Sequence, residues 1–254
     1  MLKTLPLIFF SLLCLGFNHA SYAQQTVRLA VGEWEPYVSK NLPDNGFLAR
    51  IITEAFALEG VKVELGFFPW ARAKALAQQG EWDGTFPWVY SEKRAQKFLY
   101  SEPVIANQGV FFHLKSFDFQ WQDYSDLTGL SSGATSGYNY GASFHEAQQN
   151  GTLKVQTVPS DELNFKKLLR KRFDIFPSNL HVGYQQIKNN FSPLDAEKFT
   201  HHRKVLTHNN LHLIFCKSKV ANQQLVQTFN RGLIKLKALG KYDQYLAEIQ
   251  PLNN

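Results

Sequence analysis

Cysteine is scarce in this 254-residue chain, which contains two, Cys14 and Cys216. We expect the segment that holds Cys14 to be removed, so no intrachain disulfide is possible in the mature chain. The fold must therefore be stabilised by a hydrophobic core. The composition provides for one, because 44% of the residues are hydrophobic and 14% are aromatic. A chain of this length buries most of its apolar surface on folding.

Long apolar runs are also scarce. The run 7–15 is too short to span a bilayer stably, and no later stretch is long and apolar enough to be a membrane helix. This run follows Lys3 and precedes the small-x-small sequence Ser21-Tyr-Ala23. That order is typical of a cleaved signal peptide, which we predict over residues 1–23. Leu13 stands before Cys14 where a small residue would precede a lipid-modified cysteine, so a lipid anchor is disfavoured.

Charge of one sign is not concentrated anywhere in the chain. The formal net charge is +6 at pH 7, but no block of Lys and Arg contains interleaved aromatic residues. The sequence therefore predicts no nucleic-acid partner. Four histidines, at positions 201, 202, 208 and 212, fit neither a helical His pair with a carboxylate nor a Cys/His site. We predict no metal and no cofactor.

Strand-like and helix-like segments alternate in the first part of the chain. In order, they are a strand at 27–31, a helix at 47–58, a strand at 61–65, a helix at 70–79 and a strand from 83. This order predicts a mostly parallel, doubly wound sheet. Ligands of such sheets bind at the carboxyl ends of strands. Trp34, Trp70 and Trp88 lie at those ends, where they form either an aromatic cage for a ligand or part of the core.

The same alternation resumes after residue 109. Its segments are a helix near 142–149, a strand at 153–158, a helix at 161–172 that Ser160 caps, a strand at 173–177, a return through 203–216, and helices at 222–239 and 242–249. We predict two lobes joined by two crossovers. Lobe 1 is discontinuous and comprises residues 24–108 and 206–254, and lobe 2 comprises residues 109–205.

The stretch 83–104 contains a candidate anion site. After a buried strand, Ser91 can cap a short helix whose first turn holds Glu92 and Arg94. A guanidinium beside helix N–H groups that have no partners is a good carboxylate site. The same spacing is equally typical of an exposed arginine on a solvated helix.

The stretch 83–104 as a whole also resembles a known family. Asp83-Gly84, Glu92-Lys-Arg94 and Ser101-Glu-Pro103 follow one another as in the periplasmic solute-binding proteins of the polar amino-acid type, bacterial solute-binding protein family 3. The tail 229–242 is similar to the closing segment of that family. The resemblance implies a type II periplasmic binding protein fold, with each lobe a mostly parallel sheet flanked by helices and a ligand cleft between the lobes. It also implies periplasmic localisation, a monomer and an inner-membrane ABC permease as partner.

The resemblance implies roles for particular residues of lobe 1. Arg94 matches the arginine that binds the α-carboxylate of the ligand, and Trp34 matches an aromatic ring that stacks on the ligand side chain. Tyr37 follows Pro36 as an aromatic residue does in the relatives. Arg72, near the start of the 70–79 helix, is either a second anion-binding group or part of a solvated helix face.

In lobe 2 the sequence departs from the family pattern. The glycine-rich run 133–141 resembles the turn that completes the carboxylate site, but Tyr138 and Asn139 follow Gly137 where two threonines usually stand. Such a turn is also typical of a tight connection. Asn179 stands where the relatives have an aspartate for the ligand's ammonium group, and a neutral amide pairs weakly with a cation. Glu33 is a hypothetical replacement for that charge.

These observations predict a receptor that binds a small carboxylate-containing solute, an amino acid or a related compound, by hinge closure for ABC-transporter uptake. The predicted ligand-binding residues are Glu33, Trp34, Tyr37, Trp70, Arg72, Trp88, Arg94, Gly137, Tyr138, Asn139 and Asn179. No catalytic residue is predicted. The alternatives are an enzyme on the same scaffold, similar to cyclohexadienyl dehydratase, and a ligand-sensing receptor that is not linked to a transporter.

Overall fold

The computed structural model describes residues 25–138 and 140–248. The predicted signal peptide therefore lies outside the described residues. The strands are β1 (Thr26–Val31), β2 (Lys62–Phe67), β3 (Gly84–Val89), β4 (Phe98–Tyr100), β5 (Ile105–Leu114), β6 (Ser131–Thr135), β7 (Lys154–Val158), β8 (Phe176–Asn179) and β9 (Phe199–Cys216). The helices are α1 (Phe47–Ala57), α2 (Trp70–Gln79), α3 (Glu92–Ala95), α4 (Ala142–Gln149), α5 (Asp161–Leu169), α6 (Leu180–Asn190), α7 (Pro193–Ala196), α8 (Ala221–Ala238) and α9 (Lys241–Ala247).

The larger sheet has the strand order β2-β1-β3-β9-β5-β8, and β4 also pairs with β9. β1, β2 and β3 are parallel, as the alternation of strands and helices predicts. β9 is antiparallel to β3, β4 and β5, and β8 is antiparallel to β5. The sheet as a whole is mixed, because the 18-residue β9 returns across it between β3 and β5.

A second, smaller sheet consists of the parallel pair β6 and β7. Ser132 on β6 forms an isolated parallel bridge to Ile175, just before β8. This bridge brings the carboxyl ends of β6 and β8 to the same region of the fold. Helices begin directly after β7 and β8, so the first residues of α5 and α6 lie there too.

The buried apolar residues form separate clusters. The largest cluster packs β1, β3 and α1 against α8 and the end of β9, and Leu29, Phe56 and Phe229 are fully buried in it. Two other clusters lie around Phe111 and Phe112, in the middle part of the chain. The chain therefore has an α/β architecture in which sheets are flanked by helices. The lobe boundaries at residues 108 and 205 stay a prediction.

Helix ends follow the local sequence in most places. The Ser160 side chain accepts a hydrogen bond from the Leu163 N–H at the start of α5, as predicted. Ser91 makes no such bond, although its backbone is extended like that of Ser160. The capping that we expected from Ser91 is therefore wrong. Within the described residues, none of the helices has the length and apolar character of a membrane span.

Candidate functional site

A cavity of about 450 Å³ lies at the carboxyl end of β8, beside the start of α5 and the middle of β9. Its lining residues are Trp34, Val89, Asn107, Gly109, Tyr138, Tyr140, Asp161, Pro177, Ser178, Asn179, Val182, Leu206, Thr207 and Asn209. They come from both predicted lobes. The volume is that of a small-molecule site, and the mixture of aromatic rings with a few polar groups is typical of one.

Trp34 enters this cavity from the end of β1. Its backbone N–H and carbonyl pair with Val38 at 2.7 and 3.0 Å, which fixes the turn that presents the indole. The Trp34 ring stacks on Tyr37, with centroids 4.2 Å apart and 15° between the planes. Tyr37 is fully buried behind Trp34 and is not among the lining residues. Burial raises the pKa of Tyr37, and a hydrogen bond with Asn179 opposes that shift.

Asn179 lines the cavity and begins α6. Its side-chain oxygen accepts a hydrogen bond from the Val182 N–H at 2.9 Å and another from the Tyr37 hydroxyl at 3.2 Å. Its amide nitrogen donates to Tyr37 at 3.0 Å and to the side-chain oxygen of Asn107. The Asn179 oxygen therefore already accepts two hydrogen bonds from the protein. Asn179 caps a helix and links three segments of the chain.

Asp161 is a cavity residue that the sequence reasoning missed. It is the first residue of α5, and only 7% of it is exposed. Its carboxylate accepts hydrogen bonds from the Thr135 hydroxyl and, at 3.5 Å, from the Ser178 hydroxyl. Burial raises the pKa of Asp161, and these two hydrogen bonds oppose the shift. The sequence signal, an acid directly after a capping serine, is so common at helix starts that it did not mark a binding residue.

The predicted turn after β6 contributes aromatic groups. Gly137 has a φ of +80°, a conformation that few residues other than glycine adopt readily. Tyr138 and Tyr140 line the cavity on the C-terminal side of this glycine, and Asn139 lies outside the described residues. The Tyr140 hydroxyl accepts a hydrogen bond from the Thr135 N–H at 2.7 Å, and burial raises the pKa of Tyr140 to about 12.

Trp70, Trp88 and Arg94 form a second group next to the cavity. Trp70 and Trp88 meet edge to face at 5.9 Å, and the Arg94 guanidinium lies 4.8 Å from the centre of the Trp88 ring. Arg94 donates hydrogen bonds to the Val89 carbonyl and, at 3.4 Å, to the Tyr100 hydroxyl. None of these three predicted residues lines the cavity itself, whereas Val89 does. Arg94 is therefore held beside the cavity wall.

Glu33 and Arg72 are not among the residues that line the cavity. The Glu33 side chain accepts a hydrogen bond from the Lys40 N–H at 3.2 Å and lies 3.9 Å from the Lys40 ammonium. The Arg72 guanidinium lies 5.5 Å from the centre of the Phe68 ring. Both have partners on the outside of lobe 1, so a ligand role for either stays a prediction.

Sequence comparison gives a single family. The model of the bacterial extracellular solute-binding proteins, family 3, matches residues 28–249. The chain belongs to this family. No curated protein matches it significantly.

Solved structures share the fold of this solute-binding protein at low identity. The second substrate-binding domain of GlnP from Lactococcus lactis, in its open conformation, is 18% identical, with a TM-score of 0.73 over 91% of this chain and 98% of that one. The probable amino-acid ABC transporter extracellular-binding protein ytmK from Bacillus subtilis is 17% identical, with a TM-score of 0.74 over 89% and 97%. The ancestral amino acid-binding protein AncCDT-1, a precursor of cyclohexadienyl dehydratase, is 20% identical, with a TM-score of 0.61 over 88% and 94%.

None of the described histidines of this solute-binding protein lines the cavity. His113, His201 and His202 line a separate surface depression near Phe119. Burial lowers the pKa of all three. Among the residues that the structure describes, no group of three or more His, Cys, Asp or Glu side chains is arranged to hold a metal ion.

Proposed function

We propose that this protein is a periplasmic receptor that binds a small carboxylate-containing solute in the 450 Å³ cavity and presents it to an inner-membrane ABC permease. Membership in the extracellular solute-binding family supports the receptor role. The observation that carries the assignment of the site is that one cavity brings together side chains from both predicted lobes. A ligand that touches both lobes stabilises the closed form relative to the open one.

Arg94 is the proposed partner of the ligand carboxylate. Its guanidinium donates hydrogen bonds to the Val89 carbonyl and the Tyr100 hydroxyl. A guanidinium has five N–H groups in all. Val89 belongs to the cavity wall, so donors that remain free are close to the space that a ligand fills. Because these contacts hold the side chain in place, little conformational entropy is lost when a carboxylate binds.

Replacing Arg94 tests this assignment. We expect Arg94→Ala to abolish binding of carboxylate ligands, because the loss of a charged partner in a closed site costs about 2–5 kcal/mol. A thermal-shift screen of amino acids and small carboxylates finds the ligand, since a hundredfold excess over Kd adds about 2.7 kcal/mol of stability. Calorimetric titration of the variant then measures the loss.

Lys93→Ala is the matched control. Lys93 is the exposed neighbour of Arg94 in the same helical turn. Its removal changes the net charge by the same amount and is expected to leave ligand affinity unchanged. Circular dichroism confirms that both variants are folded. An Arg94→Ala variant that binds the carboxylate as tightly as the wild type would contradict the proposed site.

A dehydratase on this scaffold is the second candidate, and Asp161 is the observation that favours it. A buried carboxyl group with a raised pKa has the property that a general acid needs. Incubating the protein with prephenate or arogenate tests this candidate. Turnover that disappears in Asp161→Asn would support the enzyme, and unchanged substrate would leave the receptor as the proposal.

A further inference from the structure

Among the described residues that line the cavity, Asp161 is the one charged side chain. The other polar groups of the lining are asparagine amides and Ser, Thr and Tyr hydroxyls, which are neutral near pH 7. Asp161 is therefore the group that can give this part of the cavity a negative charge. A ligand that fills it meets a carboxylate, whatever group it presents to Arg94 at the edge.

Among the described residues, the Asp161 carboxylate has hydroxyl partners but no cationic partner. The Thr135 hydroxyl donates to one oxygen, and the Ser178 hydroxyl donates to the other at 3.5 Å, a long bond. An ionised carboxylate has about four acceptor positions, so capacity for further donors remains. Burying a carboxylate without a cation is unfavourable. The raised pKa of Asp161, which burial causes, reflects that cost.

Asn179 is a poorer partner than Asp161 for a cationic group of the ligand, because its side chain is neutral and its oxygen is already occupied. Both hydrogen bonds that its side-chain oxygen accepts come from the protein itself, from the Val182 N–H and the Tyr37 hydroxyl. Ser178, which donates to Asp161, is the residue just before Asn179. The negative group of this wall is therefore present, but it is carried by α5 instead of by the residue that ends β8.

The aromatic lining favours the same kind of ligand. Trp34, Tyr138 and Tyr140 all line the cavity that contains Asp161. Tyr37 covers one face of the Trp34 ring at a centroid distance of 4.2 Å, which holds that ring in position. Aromatic faces attract cations, most strongly where water is excluded. A cavity lined by aromatic rings and a buried carboxyl group is suited to an organic cation.

We propose that Asp161 binds the positively charged nitrogen of the ligand, which is a small organic amine with N–H groups to donate. This inference rests on the proposed function in taking the cavity as the ligand site. Combined with a carboxylate at Arg94, it makes the ligand zwitterionic. The cationic end docks at α5, a position for which the sequence pattern gave no ligand role.

The test uses series of compounds that differ in one charged group. Phenylalanine, phenethylamine and hydrocinnamate carry both groups, the amine alone and the carboxylate alone, and leucine, isoamylamine and isocaproate form an aliphatic series. Arginine and agmatine extend the amines to a second cation. Each compound is titrated calorimetrically into the wild type, Asp161→Asn, Glu162→Gln and Arg94→Ala. Glu162 is the adjacent, partly exposed acid of α5, paired with Lys166, so it is a matched control.

We expect at least one amine-bearing compound to bind the wild type. Asp161→Asn should raise its Kd about thirtyfold or more, because a buried charge loses its partner, whereas Glu162→Gln should leave it unchanged. Asp161→Ser provides a second variant if the asparagine variant does not fold. Unchanged affinity in a folded Asp161 variant overturns the proposal, as does binding of the carboxylates alone or of no amine at all.

The Arg94→Ala titrations separate this proposal from the proposed function. If an amine without a carboxylate binds and depends on Asp161 but not on Arg94, the cation site stands and the carboxylate assignment fails. If hydrocinnamate or isocaproate binds and depends on Arg94 but not on Asp161, the carboxylate receptor stands and the cation site fails.

Discussion

Burial of Asp161 disfavours the charged form of its side chain. Its carboxylate is buried, and its hydrogen bonds come from hydroxyl groups, so desolvation raises its pKa above the ordinary value of 3.8. Between that ordinary value and the raised one, the folded protein holds a proton that the unfolded chain has lost. The free energy of unfolding therefore falls as pH rises through this window, and it stays lower above it.

Asp161→Asn is expected to remove this dependence. The variant should be more stable than the wild type at pH 7, by something on the order of 1 kcal/mol, the usual scale of a single substitution. The difference should shrink below the ordinary pKa, where both side chains are neutral. Denaturant unfolding of both proteins across this pH range measures it, with Glu162→Gln as the control for the loss of a charge on α5. An asparagine variant that is less stable at pH 7 would show that the hydroxyl contacts outweigh desolvation.

Some cavity residues could be predicted from the local sequence, and others could not. Trp34, Tyr138 and Asn179 line the cavity. The strands next to Trp34 and Asn179 were recognisable in the sequence, whereas β6, which precedes Tyr138, was not predicted as a strand. Asp161 was overlooked because its burial depends on Thr135 and Ser178, which lie on two other elements. Hydrophobic periodicity predicts which face of a helix or strand is buried. It does not predict which hydroxyl groups of distant residues contact that face.

At the scale of elements, α1 and α8 approach each other closely at one glycine. A Cβ atom added to Gly232 of α8 would lie 1.9 Å from the carbonyl oxygen of Ala55 on α1. The obstacle is backbone rather than a flexible side chain, so the helices must move apart to accept any larger residue. The largest hydrophobic cluster lies at this contact, where Phe56 and Phe229 pack at 5.3 Å.

Gly232→Ala should therefore destabilise the protein, although alanine favours helix formation over glycine by about 1 kcal/mol. Overpacking a core typically costs about 1–3 kcal/mol, and the net loss should be visible in guanidinium unfolding. Gln227→Ala, at an exposed position of α8, controls for helix propensity. Equal stability of Gly232→Ala and the wild type would mean that α1 shifts without cost.

Several helices were predicted closely, but α6 was not predicted, and neither was the strand pairing. The bounds of α2 and α4 match the sequence prediction, because apolar periodicity and a closing Gly80 act within one segment. The antiparallel course of β9 was missing from the prediction. A strand's direction relative to its neighbours depends on where the chain goes between them, and the sequence of β9 does not contain that information.

At the scale of the whole molecule, Tyr37 and Asn179 link the two predicted lobes. Tyr37 belongs to the segment 24–108 and Asn179 to the segment 109–205, and their side chains share two hydrogen-bond contacts at 3.0 and 3.2 Å. A second, more exposed link joins the Asn189 amide to the Glu35 carboxylate at 3.4 Å. β5 pairs with the Phe199–Leu211 part of β9, which joins the two predicted lobes in one sheet. Lobe opening by hinge bending must therefore break the Tyr37–Asn179 contact.

Tyr37→Phe tests whether this contact holds the ligand-free lobes together. The variant keeps the ring that stacks on Trp34 and loses only the hydroxyl. A hydrogen bond contributes about 1 kcal/mol net, so the ratio of open to closed molecules should rise about fivefold. Small-angle X-ray scattering should then give a larger mean radius of gyration for the variant than for the wild type. Tyr242→Phe is the matched control, because it removes a 2.8 Å hydrogen bond to the Val104 carbonyl within lobe 1. Equal radii for the wild type and both variants would mean that the Tyr37 hydroxyl does not restrain opening, and that closure is set by the hinge strands.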